Sequence, residues 1–254
     1  MKRLFVIAVL MCALPAHAQV NTEALRSDGE GLSGSLEFSL SNRTGNSDLS
    51  TWGAAMNLAH NTRIRTVLVA TDVTRSKQRA QEIADRGFAH ARWTRHLSRH
   101  VGWEVFAQHE YDSFALLDAR TLAGTGPRFT LLDRSTPQGR VQHAFFGLAA
   151  MWEGERLDVP LGGPDDRSPE AVRMSSYLSL SHSWGTNRLS GTFYAQPRFG
   201  EPKDVRLLAQ ATLLLPVARS LHFKIAFTMR HDGEPPTGVR TTDTTVTNQL
   251  GVEF

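Results

Sequence analysis

Apolar and polar residues alternate along most of this chain with a period of two, as in strands whose two faces meet different surroundings. Leu36, Phe38 and Leu40 lie between Ser35, Glu37, Ser39 and Ser41, and Trp52, Ala54, Met56 and Leu58 follow in step. Ala89, Ala91, Trp93 and Leu97 oppose His90, Arg92 and His96. Val101, Trp103, Val105, Ala107 and Tyr111 oppose Gly102, Glu104, Gln108 and Glu110. Leu117, Ala119, Ala123, Phe129 and Leu131 oppose Asp118, Arg120, Gly124, Gly126 and Arg128, and Ala144 to Trp152 continues the outward phase. Met174, Leu178, Leu180 and Trp184 oppose Arg173, Ser175, Tyr177 and Ser179. Leu189 and Phe193 oppose Arg188 and Arg198; Val205 to Leu215 oppose Arg206; Phe223 to Met229 oppose Lys224 and Arg230. Residues 63–74 alternate most weakly, and the charged stretch Ser76–Arg86 predicts a short helix in a loop. The pattern predicts about twelve strands of roughly ten residues, the length that crosses a bilayer.

An even strand number returns both termini to one side. The connectors on that side are short: His60–Thr62, Ser98–His100, Ser135–Gly139, Gly185–Asn187 and Val217–Ser220. The longer ones, Arg75–Arg86, Glu153–Glu170 and Asp232–Thr241, fall on the other side. A membrane barrel sorts its turns and loops in this way. Trp52, Trp93, Trp103, Trp152 and Trp184 all take the apolar phase near strand ends, where a barrel places aromatics at the water–lipid boundary. Trp52 and Trp152 are expected at the outer boundary with Tyr111, and Trp93, Trp103 and Trp184 at the inner one.

The chain ends carry export signals. Met1-Lys2-Arg3, the apolar run Leu4–Leu14 and Ala16-His17-Ala18 read as a secretory signal peptide, expected over residues 1–18. Cys12, preceded by Met11 rather than a small residue, is expected to leave with it, so the exported protein is expected to have no thiol. A polar lead-in spans 19–32 and the barrel 33–254. In the last strand Val246, Leu250, Val252 and Phe254 share one phase. A strand that closes on a terminal aromatic resembles the insertion signal of bacterial outer-membrane barrels, read by the barrel-assembly machinery.

Composition adds exclusions. The 28 Lys and Arg against 25 Asp and Glu give a formal charge of +3. Cleavage removes Lys2 and Arg3 and no acid, which lowers it to +1, so the basic balance implies no nucleic-acid partner. No long apolar run follows the signal, which excludes helical membrane spans but not a barrel, whose strands are apolar only at alternate residues.

The other phase is expected to line a lumen: Glu37, Glu104, Glu110, Asp118, Arg120, Arg128, Arg173, Arg198, Arg206 and Arg230. In a barrel this narrow, such charges either pair across the lumen and hold it shut, or form a thin path in which the arginines favour anions. Asp118 and Arg120 are expected to pair. No catalytic constellation stands out. His182 and Ser183 are adjacent and so face opposite ways on a strand. Glu104 and Glu110 are about 20 Å apart along one strand. His90 and His96 are too distant to share a metal. Gly124-Thr125-Gly126 precedes no helix and is expected to relieve crowding. No enzyme activity, cofactor or metal is expected.

Two stretches carry a resemblance. Leu36–Trp52 with its Gly45-Asn46-Ser47-Asp48 turn, and Tyr111-Asp112-Ser113-Phe114 followed by Leu117-Asp118-x-Arg120 and Gly124-x-Gly126, resemble the YdiY-like group of salt-induced outer-membrane proteins, a conserved domain of unknown function. Pro127 departs from its pattern. The resemblance implies an all-β, antiparallel up-and-down transmembrane β-barrel of the outer membrane, with both termini periplasmic. The expected protein is monomeric, contacts outer-membrane lipid, and meets periplasmic chaperones and the assembly machinery during insertion. Its expected role is envelope integrity or osmotic and salt adaptation. The alternatives are a narrow solute or ion channel with an arginine-lined lumen, and a surface-binding protein acting through 153–170.

Overall fold

The computed structural model describes residues 30–43, 48–79, 81–136, 141–160, 162–163, 165, 170–218 and 221–252. The expected signal peptide, most of the lead-in, Gly45-Asn46-Ser47 and the terminal Phe254 lie outside them. The rest is one twelve-stranded antiparallel sheet in sequence order. Its strands are β1 (Gly31–Arg43), β2 (Leu49–Asn61), β3 (Arg65–Gln78), β4 (Gln81–His96), β5 (Val101–Asp112), β6 (Leu117–Ser135), β7 (Val141–Leu157), β8 (Glu170–Trp184), β9 (Asn187–Arg198), β10 (Glu201–Ala218), β11 (Leu221–Asp232) and β12 (Thr242–Val252). Each strand pairs with the next; a β1–β12 pair is not among the pairings of the described residues. Among the described residues no helix is long and apolar enough to cross a membrane.

The alternation turns the usual core inside out. Phe38 is 76% and Leu40 75% exposed, while Arg120 and Glu110 are each 1% exposed. The sheet curls so that its charged face is enclosed. Tyr177 on β8 donates its hydroxyl to Glu104 Oε2 on β5 at 2.9 Å, and Arg206 on β10 donates to Glu153 Oε2 on β7 at 2.6 Å. The weak alternation of β3 also has a cause. Leu68 and Ala70, both buried, take its inner phase, while Val67, Val69 and Val73 take the outer. Apolar residues therefore occupy both faces of that strand.

Three segments differ from the sequence expectation. Ser76–Arg86 is neither helix nor long loop, because β3 runs to Gln78 and β4 starts at Gln81. Cross-strand ion pairs from Arg75 and Lys77 to Glu82 carry the ladder to its tip. Glu153–Glu170 is shorter as a loop than expected, since β7 continues to Leu157 and β8 opens at Glu170. At the end opposite the termini, two residues separate β3 from β4 and two separate β9 from β10, while twelve separate β7 from β8 and nine separate β11 from β12. Third, a bulge between Leu117 and Ala119 reverses the phase at the start of β6. Leu117 turns inward and is buried, and Asp118 turns outward to pair with Arg156 on the exposed face.

Close packing on the inner face relies on absent side chains. Gly124 is the register partner of Phe106, and Gly147 of Tyr177. A Cβ at either glycine would enter the partner's ring, so an aromatic lies flat over each glycine as a cross-strand pair. A Cβ on Gly126 would likewise meet the Leu148 carbonyl. Pro127 pairs with Trp103 on β5 without a register shift, but on the β7 side the pairing passes from Thr125–Ala150 to Arg128–Gly147 and omits Gly126 and Pro127. Gly147→Val is expected to lower stability by ~1–3 kcal/mol, read as a lower urea midpoint for the detergent-folded protein, because the Tyr177 ring cannot retreat from its neighbours.

Candidate functional site

The inner face is built in layers. Toward the end opposite the termini, Glu153 on β7 is the hub of an ion network. It accepts from Arg120 Nε at 3.0 Å, Arg173 Nε at 2.9 Å and Arg206 Nη1 at 2.6 Å, three arginines from three other strands. Each arginine has a further acid. Arg120 Nη1 donates to Glu110 Oε1 at 3.0 Å. Arg173 Nη2 donates to both Asp204 oxygens, at 2.8 and 3.0 Å. Arg206 donates to Glu155 at 2.6 Å and Asp232 at 3.2 Å. Arg198, closer to the rim, lies 3.6 Å from Asp204. Burial of these charges is tolerable because each side chain meets several opposite charges at hydrogen-bond distance. Arg230 is the exception. It is buried, yet its Nε and Nη2 have no hydrogen-bond partner, and the cation Arg86 is among its neighbours together with the acids Glu110, Asp112 and Asp243.

Below this network the interior is packed. Phe106, Leu122 and Met151 form one buried cluster and Tyr177, Tyr194 and Leu208 another. Between them remains a cavity of about 30 Å³, lined also by His90, Gln108 and Gln196. A second ion layer centres on Glu104, which lies 3.3 Å from Arg92 and 3.7 Å from Arg128 and accepts from Thr94 at 3.1 Å. Arg128 rests on the Phe145 ring, 3.9 Å from its centre. Beyond this layer a cavity of about 470 Å³ opens toward the chain termini, and one of about 540 Å³ lies at the opposite rim.

Of the expected lumen residues, Glu104, Glu110, Arg120, Arg128, Arg173, Arg206 and Arg230 are buried on the inner face, and Arg198 is partly exposed at its rim. Glu37 pairs in register with Ala55, but its side chain lies outside what the structure describes. Asp118 is on the outer face, and its expected pairing with Arg120 gives way to Arg156. Four network members were not anticipated: Glu153, Glu155, Asp204 and Asp232. The signal for the first two was present, since Met151, Glu153 and Glu155 continue one phase past Trp152. Asp204 precedes Arg206 in the same phase.

Trp52, Trp93, Trp103 and Trp152 are exposed on the outer face, and Trp184 stacks with His182 at 5.3 Å. Trp152 lies deeper than expected because β7 runs on past it, pairing in register with Ala123 and Val172. Tyr111 lies over Gly87 on the outer phase. Val246 is exposed on β12; Leu250 and Val252 pair with Phe223 and Leu221 in the ladder.

The histidines are dispersed. His90 meets Gln108 at 3.1 Å and His96 meets Thr66 at 3.2 Å. Ser183 accepts from Arg188 at 3.4 Å while His182 stacks on the other face. Glu201, Asp204 and Glu234 bring carboxylate oxygens within 4.8 Å of one another. Arg173 and Arg198 already supply the cations there.

The family motif can now be placed on this geometry. Asp112 Oδ1 accepts from the backbone N–H of Phe114 and Ala115 and closes the β5–β6 turn. Leu117 and Asp118 form the bulge, Arg120 joins the network and Gly124 receives Phe106. The profile of a family described as "Protein of unknown function, DUF481" matches residues 36–254. The chain belongs to the DUF481 family. This is the family that the resemblance of the opening and central motifs indicated. No curated protein matches the chain. In this DUF481 chain, then, the family motif serves a turn, a bulge, a ring contact and an ion pair, all structural tasks.

Proposed function

We propose that this chain is an exported, monomeric outer-membrane β-barrel whose sealed interior serves envelope integrity under osmotic or salt stress, without enzyme activity. The observation that carries the proposal is the inversion of burial: large apolar side chains on the outside, paired guanidinium and carboxylate groups within. A sheet with this partition has its apolar face satisfied by lipid, with exposed tryptophans as interface anchors. Both described chain ends lie at one end of the sheet, which the proposal places on the periplasmic side, where chaperones and the assembly machinery deliver the chain. Nucleic acid has no part in this reading.

The packed middle favours a sealed barrel over a channel. The ion network favours the salt-related role, because buried pairs are screened by bulk ions far less than surface pairs. The surface-binding alternative loses the first five residues of its proposed segment, since Glu153–Leu157 belongs to β7. Two measurements test the proposal. The expressed protein should sediment with outer membranes and resist extraction by high salt. The folded form should also migrate differently from the boiled form on a gel. A freely soluble periplasmic protein would refute it.

A further inference from the structure

We infer that a small cavity at the end opposite the termini, walled by β6, β11 and the 233–241 connector, binds a small zwitterion, an α-amino acid with a short apolar side chain. Its volume is about 100 Å³. A cavity of ~150 Å³ takes a benzene molecule, so this one suits a ligand of about five or six non-hydrogen atoms.

Arg230 on β11 supplies a donor edge. It is 8% exposed and lines the cavity. Its Nε and Nη2 have no hydrogen-bond partner. These two nitrogens form the side-on edge of the guanidinium, whose parallel N–H groups match the two oxygens of a carboxylate. Glu110, Asp112 and Asp243 are its acidic neighbours, but none of them takes up that edge. A buried donor left in this way costs stability rather than adding it. Arg230 therefore lacks the structural role that Arg120, Arg173 and Arg206 have around Glu153.

Asp112 on β5 supplies an acceptor on the same cavity wall and is 3% exposed. Its Oδ1 accepts from Phe114 and Ala115 in the turn. Its Oδ2 is buried and has no hydrogen-bond partner. An ionised carboxylate can only accept, and a cationic donor serves it best. The other buried arginines of the wall are engaged, Arg120 with Glu110 and Glu153, Arg206 with Glu155 and Asp232. The unsatisfied atoms thus belong to groups of opposite sign. A lone anion or a lone cation would satisfy one of them; a zwitterion satisfies both, its carboxylate on Arg230 and its ammonium on Asp112 Oδ2. Leu117, Leu157, Pro235, Pro236 and Val239 complete the lining and suit a short apolar side chain. Only the statement that this cavity faces away from the periplasm rests on the barrel reading; the cavity does not depend on it.

The test is calorimetric titration of the full mature protein, folded in detergent, with L-alanine, acetate and methylammonium. Heat-modifiable migration serves as the check on folding. L-alanine should bind saturably with a dissociation constant of ~1 mM or tighter, and acetate and methylammonium each about tenfold more weakly or worse. Arg230→Met removes the donor edge without burying a new polar group, and should fold and lose L-alanine binding. Asp112→Asn keeps an oxygen for the turn but puts a donor where Oδ2 stood. It should weaken L-alanine about tenfold or more without weakening acetate. Arg188→Gln at the terminal end should leave binding unchanged. Absence of saturable L-alanine binding by the folded parent overturns the inference. So does acetate binding as tightly as L-alanine, or L-alanine binding that survives Arg230→Met. None of these outcomes bears on membrane insertion, which fractionation decides separately.

Discussion

Glu153→Leu is expected to lower the stability of the folded protein by on the order of 3–5 kcal/mol, the cost of leaving buried charge uncompensated. Urea unfolding in lipid vesicles, followed by tryptophan fluorescence and by loss of heat-modifiable migration, measures it. Glu153 serves Arg120, Arg173 and Arg206 at once, so its loss is felt on four strands. Part of the damage is limited because Arg206 keeps Glu155 and Asp232, Arg173 keeps Asp204 and Arg120 keeps Glu110. The expected cost is therefore that of one unbalanced network rather than three separate broken pairs. Arg230→Met is the contrast within the same interior. That guanidinium is buried with two nitrogens unpartnered and with Arg86 offsetting the attraction of Glu110, Asp112 and Asp243. Its replacement by a methionine of similar length should leave stability within ~1 kcal/mol of the parent or raise it. Equal losses for the two variants would mean that the network does not hold the sheet together.

These two residues also mark the limits of sequence reading. The period-two pattern carried the strand number, the antiparallel order and the inward phase of most charged residues, because the periodicity follows directly from strand geometry. It failed where composition and pairing disagree. Glu153 reads as loop because Pro, Gly and Asp follow closely behind it, although its phase continues that of Met151. Arg75–Arg86 read as a loop because its charges hide the alternation, yet those charges pair across the hairpin. Asp118 carries the inward phase in the sequence but faces outward, because a bulge adds one residue to one strand and reverses every phase before it. A bulge is a property of two strands, and no single-strand pattern contains it. The layering of the interior was likewise illegible. Phe106, Leu122 and Tyr177 share the inner phase with charged residues, and only the curl of the sheet brings them together.

That middle layer sets the second large expectation. In planar lipid bilayers the refolded parent protein should show no ion conductance at either polarity, while the double variant Phe106→Ala with Tyr177→Ala should conduct. The argument is geometric. The two end cavities, about 470 and 540 Å³, are separated by the two buried clusters, between which lies a cavity of about 30 Å³. Phe106 and Tyr177 are the large rings of that layer, one in each buried cluster, and both lie over glycines that add no bulk of their own. Truncating both removes the rings without adding charge. The space left is bordered by Arg92, Gln108 and Gln196, polar enough for water to enter rather than leaving a dry void. Loss of the Tyr177 hydroxyl also frees one contact of Glu104, which keeps Arg92, Arg128 and Thr94, so the barrel should survive the change. Truncation of apolar contacts of this size costs on the order of 3–5 kcal/mol per ring, and heat-modifiable migration of the variant must be checked before its current is read. Once open, the path runs past Arg92 and Arg128 and should favour anions, seen as a reversal potential shifted toward that of chloride in a salt gradient. Conductance by the parent protein would show that the middle layer does not seal the interior. A folded double variant that stays silent would place the seal elsewhere, in the ion network around Glu153.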